Sequence, residues 1–404
     1  MVSGLTVAGA GLTVPPILAK SVFAATADGV HNDRVLVILQ LGGGNDGLNT
    51  VIPYADPAYM AARPTLGVTP DKLLPLNTSV GLNAVMSGIK KLYDAGQVAI
   101  VQGVGYDNPT YSHFEGLHVW EHADPARRQT DGWLGKLLAS QLDSQGHPLT
   151  GCALGQSSTP SELIASKATV TVIDTVASYD VQGGGGHQVA APALYRNTPG
   201  IYGALFDQAL STAETGIKAL KVSTSKYTPA ASYVPQSTVY GSKNSLATSL
   251  QLTAEMIVTQ PSVKLCHVVL GGFDTHQNED QRQNALLAYV DAAVSAFMQD
   301  LAAHGQADRV VLMTWSEFGR RVHENGSKGT DHGAAAPLFV IGKPVKGGLA
   351  GEYPSLTNTI DSGNLKYTVD FRSVYQSVIR DWLQADPVSV LGSSFPELAL
   401  IRQV

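Results

Sequence analysis

The sequence predicts an α/β fold: a mostly parallel sheet with helices on both faces and an insertion in the middle of the chain. Two patterns predict it. Five short runs rich in Val, Ile and Leu each end in Gly or polar residues, and segments with helical periodicity lie between or after them. Strands that alternate with helices require crossover connections, which leave both faces of a parallel sheet covered.

The runs are Val35–Leu41, Val98–Gly103, Leu265–Leu270, Val310–Thr314 and Leu338–Ile341, and all five read as buried parallel strands. Asn83–Asp94 places Val85, Ile89 and Leu92 at helical spacing. Asp280–Ala303 repeats Leu286, Leu287, Val290, Ala293, Val294, Phe297 and Leu301 close to a period of 3.6. Phe371–Leu383, with Val374, Val378 and Trp382, is the last clear helix. From 155 to 240 the chain is rich in Gly, Ser, Thr and Ala, with Gly183–Gly186 in a row. That length exceeds an ordinary structureless loop, so it reads as an insertion or cap on one domain spanning 28–404. A lid and an added helical subdomain both remain open.

Composition narrows the function. The chain has 404 residues, 44% hydrophobic and 15% charged, which is globular rather than disordered. Its formal net charge of −6 argues against nucleic acid as a partner, because such binders carry a basic stripe. Two cysteines exclude a disulfide scaffold and a four-thiolate zinc site. Cys152 and Cys266 can pair only in an oxidising compartment, and the sequence leaves that open.

Residues 1–27 read as the remnant of an export signal. Val2 to Ala19 carry no charge but are broken by Gly and Pro, too short and weak for a membrane span. Ala25-Thr26-Ala27 fits a signal-peptidase site. The modest hydrophobicity resembles a twin-arginine signal whose basic head is missing, or else a flexible apolar terminus. Export places the mature chain in the periplasm or outside the cell, with no stable membrane span after cleavage.

The chemistry-bearing residues follow the strands. The first run is followed by Asn45, Asp46 and Asn49, and the second by Asp107, Ser112 and His113. The third is followed by Asp274 and His276, and the fourth by Ser316, Glu317, Arg320 and Arg321; Asp331 and His332 precede the fifth. Ligands of open parallel sheets bind beyond the carboxyl ends of the strands. Four clusters therefore project from one edge, and a loop leading into a parallel neighbour brings His332 to them. Converging carboxylates and imidazoles are costly unless paired or metal-bound, so a divalent metal ion (zinc, calcium, magnesium or manganese) is the economical explanation. Each cluster also has a plainer reading: Asp46 as a turn residue, Glu317 as a salt-bridge partner of Arg320 or Arg321, and Asp331-His332 as a turn.

Ser112 and Glu115 form a capping box ahead of an apolar helix. The same place suits a nucleophile, since free N–H groups and the helix dipole favour an alkoxide and an anionic ester. His118-Val-Trp-Glu121-His122 matches an inverted zinc-protease motif, which still needs a third ligand.

The segments LGGGNDGLNTVIPY, SHFEGLHVWE, GGFDTHQN, TWSEFGRR, GTDHGAAAPLFVIG and DFRSVYQSVIRDWL resemble an exported bacterial family, often with twin-arginine signals. It is catalogued as domain of unknown function 1501 and grouped with the alkaline phosphatase and sulfatase-like superfamily. The resemblance runs from about Arg34 to the C-terminus and implies an alkaline phosphatase-like fold. It implies Asp46 as the first metal ligand, Ser112 as nucleophile, Asp274 and His276 as a ligand pair, and His332 as the final ligand. Glu317 takes the place of an Asp-His pair, so a second ion lacks an imidazole. Arg320 is placed to hold an anionic group and His113 or His276 to protonate the leaving group. The function implied is an exported metal-dependent hydrolase acting on small phosphate or sulfate esters. The alternatives are a non-catalytic exported metal-binding or assembly protein on the same fold, and a zinc metalloprotease using His118, Glu121 and His122.

Overall fold

The computed structural model describes residues 33–142, 147–166, 168–174, 216, 227–233, 245–361 and 363–403. The export-signal stretch 1–27 and most of the proposed insertion lie outside the described residues.

The strand β1 (Val35–Gly42) shows why a sheet forms here. Its side chains alternate between two cores, Val35, Val37 and Leu39 on one face and Leu36 and Ile38 on the other. Only a strand buried on both faces needs such a continuous apolar run. Among the described residues the main sheet runs β11 (Gly348–Ala350), β5 (Val98–Gly105), β10 (Ala336–Ile341), β9 (Val310–Trp315), β1, β8 (Leu265–Gly271), β6 (Gly151–Leu154) and β7 (Val170–Ile173). The short β12 (Val369–Asp370) also pairs with β5. A small antiparallel sheet of β2 (Val51–Ile52), β3 (Leu73–Pro75) and β4 (Gly81–Asn83) stands apart.

One face is covered by α2 (Ser87–Asp94), α5 (Ser245–Thr259) and α6 (Glu279–Ala303), the other by α3 (His113–His122), α4 (Trp133–Leu137), α7 (Phe371–Ser377) and α8 (Pro387–Leu391). A further helix, α1 (Pro57–Ala62), supports the small sheet's core through Tyr59 and Ala62. Helix α6 is long and apolar enough to cross a membrane, but 61% of its apolar window is buried inside the protein. Leu287, Val290, Val294 and Phe297 pack there against the sheet, as in the core helix of a globular protein.

All five runs are strands, with one correction of direction. β10 is antiparallel to both β9 and β5, with Val340 opposite Met313 and Phe339 opposite Ile100. The reason is the connection. Residues 316–335 between β9 and β10 contain no helix that would carry the chain back across the sheet, and parallel neighbours need such a crossover. The remaining described pairs of the main sheet are parallel.

The expected helix over Asn83–Asp94 begins only at Ser87, because Asn83 ends β4 and Val85 lies in the turn between them, and the last helix passes into a π-helical turn at Val378–Trp382. Strands β6 and β7 gave no legible signal, being four residues each. The fully buried β7 lies at the start of the segment read as an insertion and belongs to the main sheet.

Candidate metal centre

The antiparallel β10 brings His332 to the site more directly than a parallel strand would. A strand running against its neighbours starts where they end, so the loop before Ala336 sits at the carboxyl edge of β1, β5, β8 and β9. There the structure gathers His113, Asp274, His276, Glu317, Arg320 and His332.

His113, Asp274 and His332 each turn one ligand atom inward, and these atoms all lie within 4.8 Å of one another. The Nε2 atoms of His276 and His332 stand 2.9 Å apart, and each is 3.1 Å from Asp274 Oδ1. His113 Nε2 lies 3.6 Å from Asp274 Oδ2.

The outer nitrogens decide what the inner ones can be. His113 Nδ1 meets Glu317 Oε1 at 2.9 Å, His276 Nδ1 meets Asp331 Oδ1 at 3.2 Å, and His332 Nδ1 meets the Tyr111 carbonyl at 2.7 Å. Carbonyl and carboxylate oxygens only accept, so each Nδ1 carries the proton and each Nε2 of a neutral ring presents a lone pair. Two lone pairs 2.9 Å apart beside a carboxylate repel unless a cation, a proton or a metal ion, lies between them. The donor set fits a metal ion. Imidazoles whose second nitrogen is held by a carboxylate or a carbonyl are the usual arrangement of metal ligands.

Electrostatics support an ionised Asp274. Burial works to raise its pKa, but its contacts with Arg320 and His332 prevail and hold it at about 2. Burial keeps His332 below its ordinary value, against the opposing pull of the Tyr111 carbonyl and Asp274. Both shifts favour the forms that bind metal.

Four roles expected from the sequence change. Asp46 is not brought to the cluster. It is fully buried, and both its carboxylate oxygens engage Arg63, Oδ1 from Nη2 at 2.9 Å and Oδ2 from Nη1. Oδ1 also caps a short 3₁₀ turn through Leu48 N. Glu317 reaches the centre through His113 rather than directly, and also accepts from Gly43 N at 2.8 Å. His113 joins the inward-facing donors instead of standing free as an acid.

Arg320 is the fourth. It is almost wholly buried, and its guanidinium donates to the carbonyls of Gly44 (2.7 Å), Thr330 (2.8 Å), Phe273 (2.9 Å) and Gly43, and to Asp274 Oδ1 at 2.8 Å. Those acceptors come from the loops after β1 and β8 and before β10. Arg320 therefore clamps three loops and orients Asp274, and its fully buried side chain presents no surface to a substrate anion. The glycines make the clamp possible: Gly43 has φ +116°, and a Cβ there would meet Asp274 N at 2.5 Å.

Ser112 does precede α3, between His113 and the Tyr111 carbonyl that holds His332. The capping box is absent. The Ser112 side chain makes no capping bond, and Glu115 instead accepts from Thr110 Oγ1 at 2.6 Å and pairs with Arg127. The residues missing from the sequence reading are supports, Arg63 for Asp46 and Asn325, whose Nδ2 donates to Asp331 Oδ1 at 3.1 Å; Asp331 in turn holds His276. Asp331 was visible beside His332; Arg63 gave no signal.

Fold and site together define an α/β protein with a His- and Asp-lined centre, able to hold a metal ion, at the carboxyl edge of its sheet. The chain belongs to the family described as "Protein of unknown function (DUF1501)", whose model matches residues 99–368. No curated protein matches it. Among solved structures it is similar to Ps i-CgsB in complex with k-i-k-neocarrahexaose, at 13% identity and TM-score 0.39, covering 90% of this chain and 73% of that one. It is also similar to the C-terminal periplasmic domain of EcEptC from Escherichia coli, at 10% identity and TM-score 0.39, covering 92% and 90%. A third is a protein in the alkaline phosphatase superfamily from Vibrio parahaemolyticus, at 11% identity and TM-score 0.36, covering 78% and 62%.

Proposed function

We propose that the chain is an exported metal-dependent hydrolase of phosphate or sulfate esters. The observation that carries this is the triangle of Asp274 Oδ1, His276 Nε2 and His332 Nε2 with sides of 2.9–3.1 Å, each imidazole having its other nitrogen committed. Asp274, His276 and His332, with His113 beside them, would hold one divalent ion. Imidazole-rich donor sets suit zinc better than calcium or magnesium, so zinc is the ion proposed. Bound there, it supplies Lewis-acid polarisation of a non-bridging ester oxygen and a lower pKa for a nearby hydroxyl.

The protein's own part is positioning. Ser112, with no capping bond to break, is the nucleophile: its Oγ bonds to phosphorus or sulfur as the ester alcohol leaves, and water then releases the inorganic anion. Arg320 holds Asp274 ionised and in place rather than touching the substrate. Export rests on the first 27 residues.

Burial of Arg320 favours a second reading, a non-catalytic exported metal-binding or assembly protein, because it removes the cation expected to meet an anionic ester. Metal analysis of the purified protein together with an aryl-phosphate and aryl-sulfate screen separates the two. Ester hydrolysis that disappears in a folded Ser112→Ala variant supports the hydrolase. A zinc-replete protein inert to every ester supports the binder.

A further inference from the structure

We propose that His118 and His122 form a second transition-metal site on α3, distinct from the centre at the sheet edge. The two residues are one helical turn apart, and their ring centroids lie 4.3 Å from each other with the planes inclined at 33°. The Nδ1 atoms of both are buried and make no hydrogen bond. His122 is 6% exposed.

A neutral imidazole keeps one ring nitrogen as donor and the other as acceptor, so each of these buried, unpartnered Nδ1 atoms leaves a polar group unsatisfied, which costs about 1–3 kcal/mol. In the tautomer with the proton on Nε2, each Nδ1 offers a lone pair. Two imidazole nitrogens at i and i+4 on one helix face suit a borderline-soft divalent ion such as zinc, nickel or copper, with water completing its coordination. His118 is only half-buried, which leaves a way in.

Among the described residues no third His, Cys, Asp or Glu completes a ligand set with His118 and His122. A zinc protease needs that third protein ligand, so the site is one of binding.

The test is calorimetric titration of the metal-stripped, full-length protein with zinc, then with nickel. Wild type is expected to bind in two steps. His118→Gln and His122→Gln should each remove one step, or weaken it at least tenfold, and leave the other unchanged. Asp274→Ala should remove the other step. Thermal melts of each variant check that it folds. Persistence of both steps in the folded double variant His118→Gln/His122→Gln overturns the proposal, as does a single wild-type step lost only with Asp274→Ala. A single step lost only with His122→Gln supports this site and counts against the sheet-edge centre instead.

Discussion

Glu317 illustrates how one side chain sets the chemistry of another. Its carboxylate fixes the proton of His113 on Nδ1, so His113 Nε2 faces Asp274 as a lone pair. Replacing Glu317 by Gln keeps an acceptor but removes the charge that makes the imidazole basic. Zinc affinity should fall about 10- to 100-fold with the thermal melt unchanged, as read by competition with a chromophoric chelator. Asp46 sits at the opposite extreme, held by Arg63 and the Leu48 N–H away from the centre. Removing one partner of a buried ion pair costs about 3–5 kcal/mol, so Arg63→Met should lower the urea midpoint sharply. A refolded sample should still bind zinc with unaltered stoichiometry. Loss of zinc from an Asp46→Asn variant of intact stability would make Asp46 a ligand after all.

Among the elements, α3 separates stability from function most cleanly. A capping serine contributes about 1 kcal/mol, but the Ser112 side chain caps nothing. Ser112→Ala should therefore shift stability by less than about 0.5 kcal/mol in a denaturant titration while abolishing ester hydrolysis. A loss of 1 kcal/mol or more with activity retained would restore the cap and remove the nucleophile. Further along α3, Glu121 gives a pH signature. Its folded pKa is raised to about 8, so the folded chain keeps a proton that the unfolded chain releases near the ordinary carboxyl value. Its contribution is complete below that value and lost as pH rises through about 8. Urea midpoints measured from pH 5 to 9 should fall for wild type, and the fall should be smaller in Glu121→Gln.

Over the whole molecule, what was legible followed from geometry that sequence order controls. Apolar runs mark buried strands, and residues just past them must meet at one edge, which is why Asp274 and His276 could be picked out; His332, ahead of β10, reaches that edge because the strand is antiparallel. Direction was not legible for β10, because an antiparallel return differs from a crossover only in lacking a helix, and a long loop hides that lack. Roles were hardest where charge neutralises charge. Nothing in the chain pairs Asp46 with Arg63, 17 residues on, or shows that three loops converge on Arg320. An arginine inside a cage of carbonyls and one free to meet an anion look the same in sequence.

The proposed function requires the triangle of Asp274, His276 and His332 to hold a metal ion rather than share a proton. An anomalous-difference map at the zinc edge, from crystals of the zinc-loaded full-length protein, tests this most directly. The expected result is a single peak at the sheet edge within bonding distance of Asp274, His276 and His332. A zinc-replete crystal whose map is blank there, with a hydrogen bond joining the two imidazoles, would contradict it.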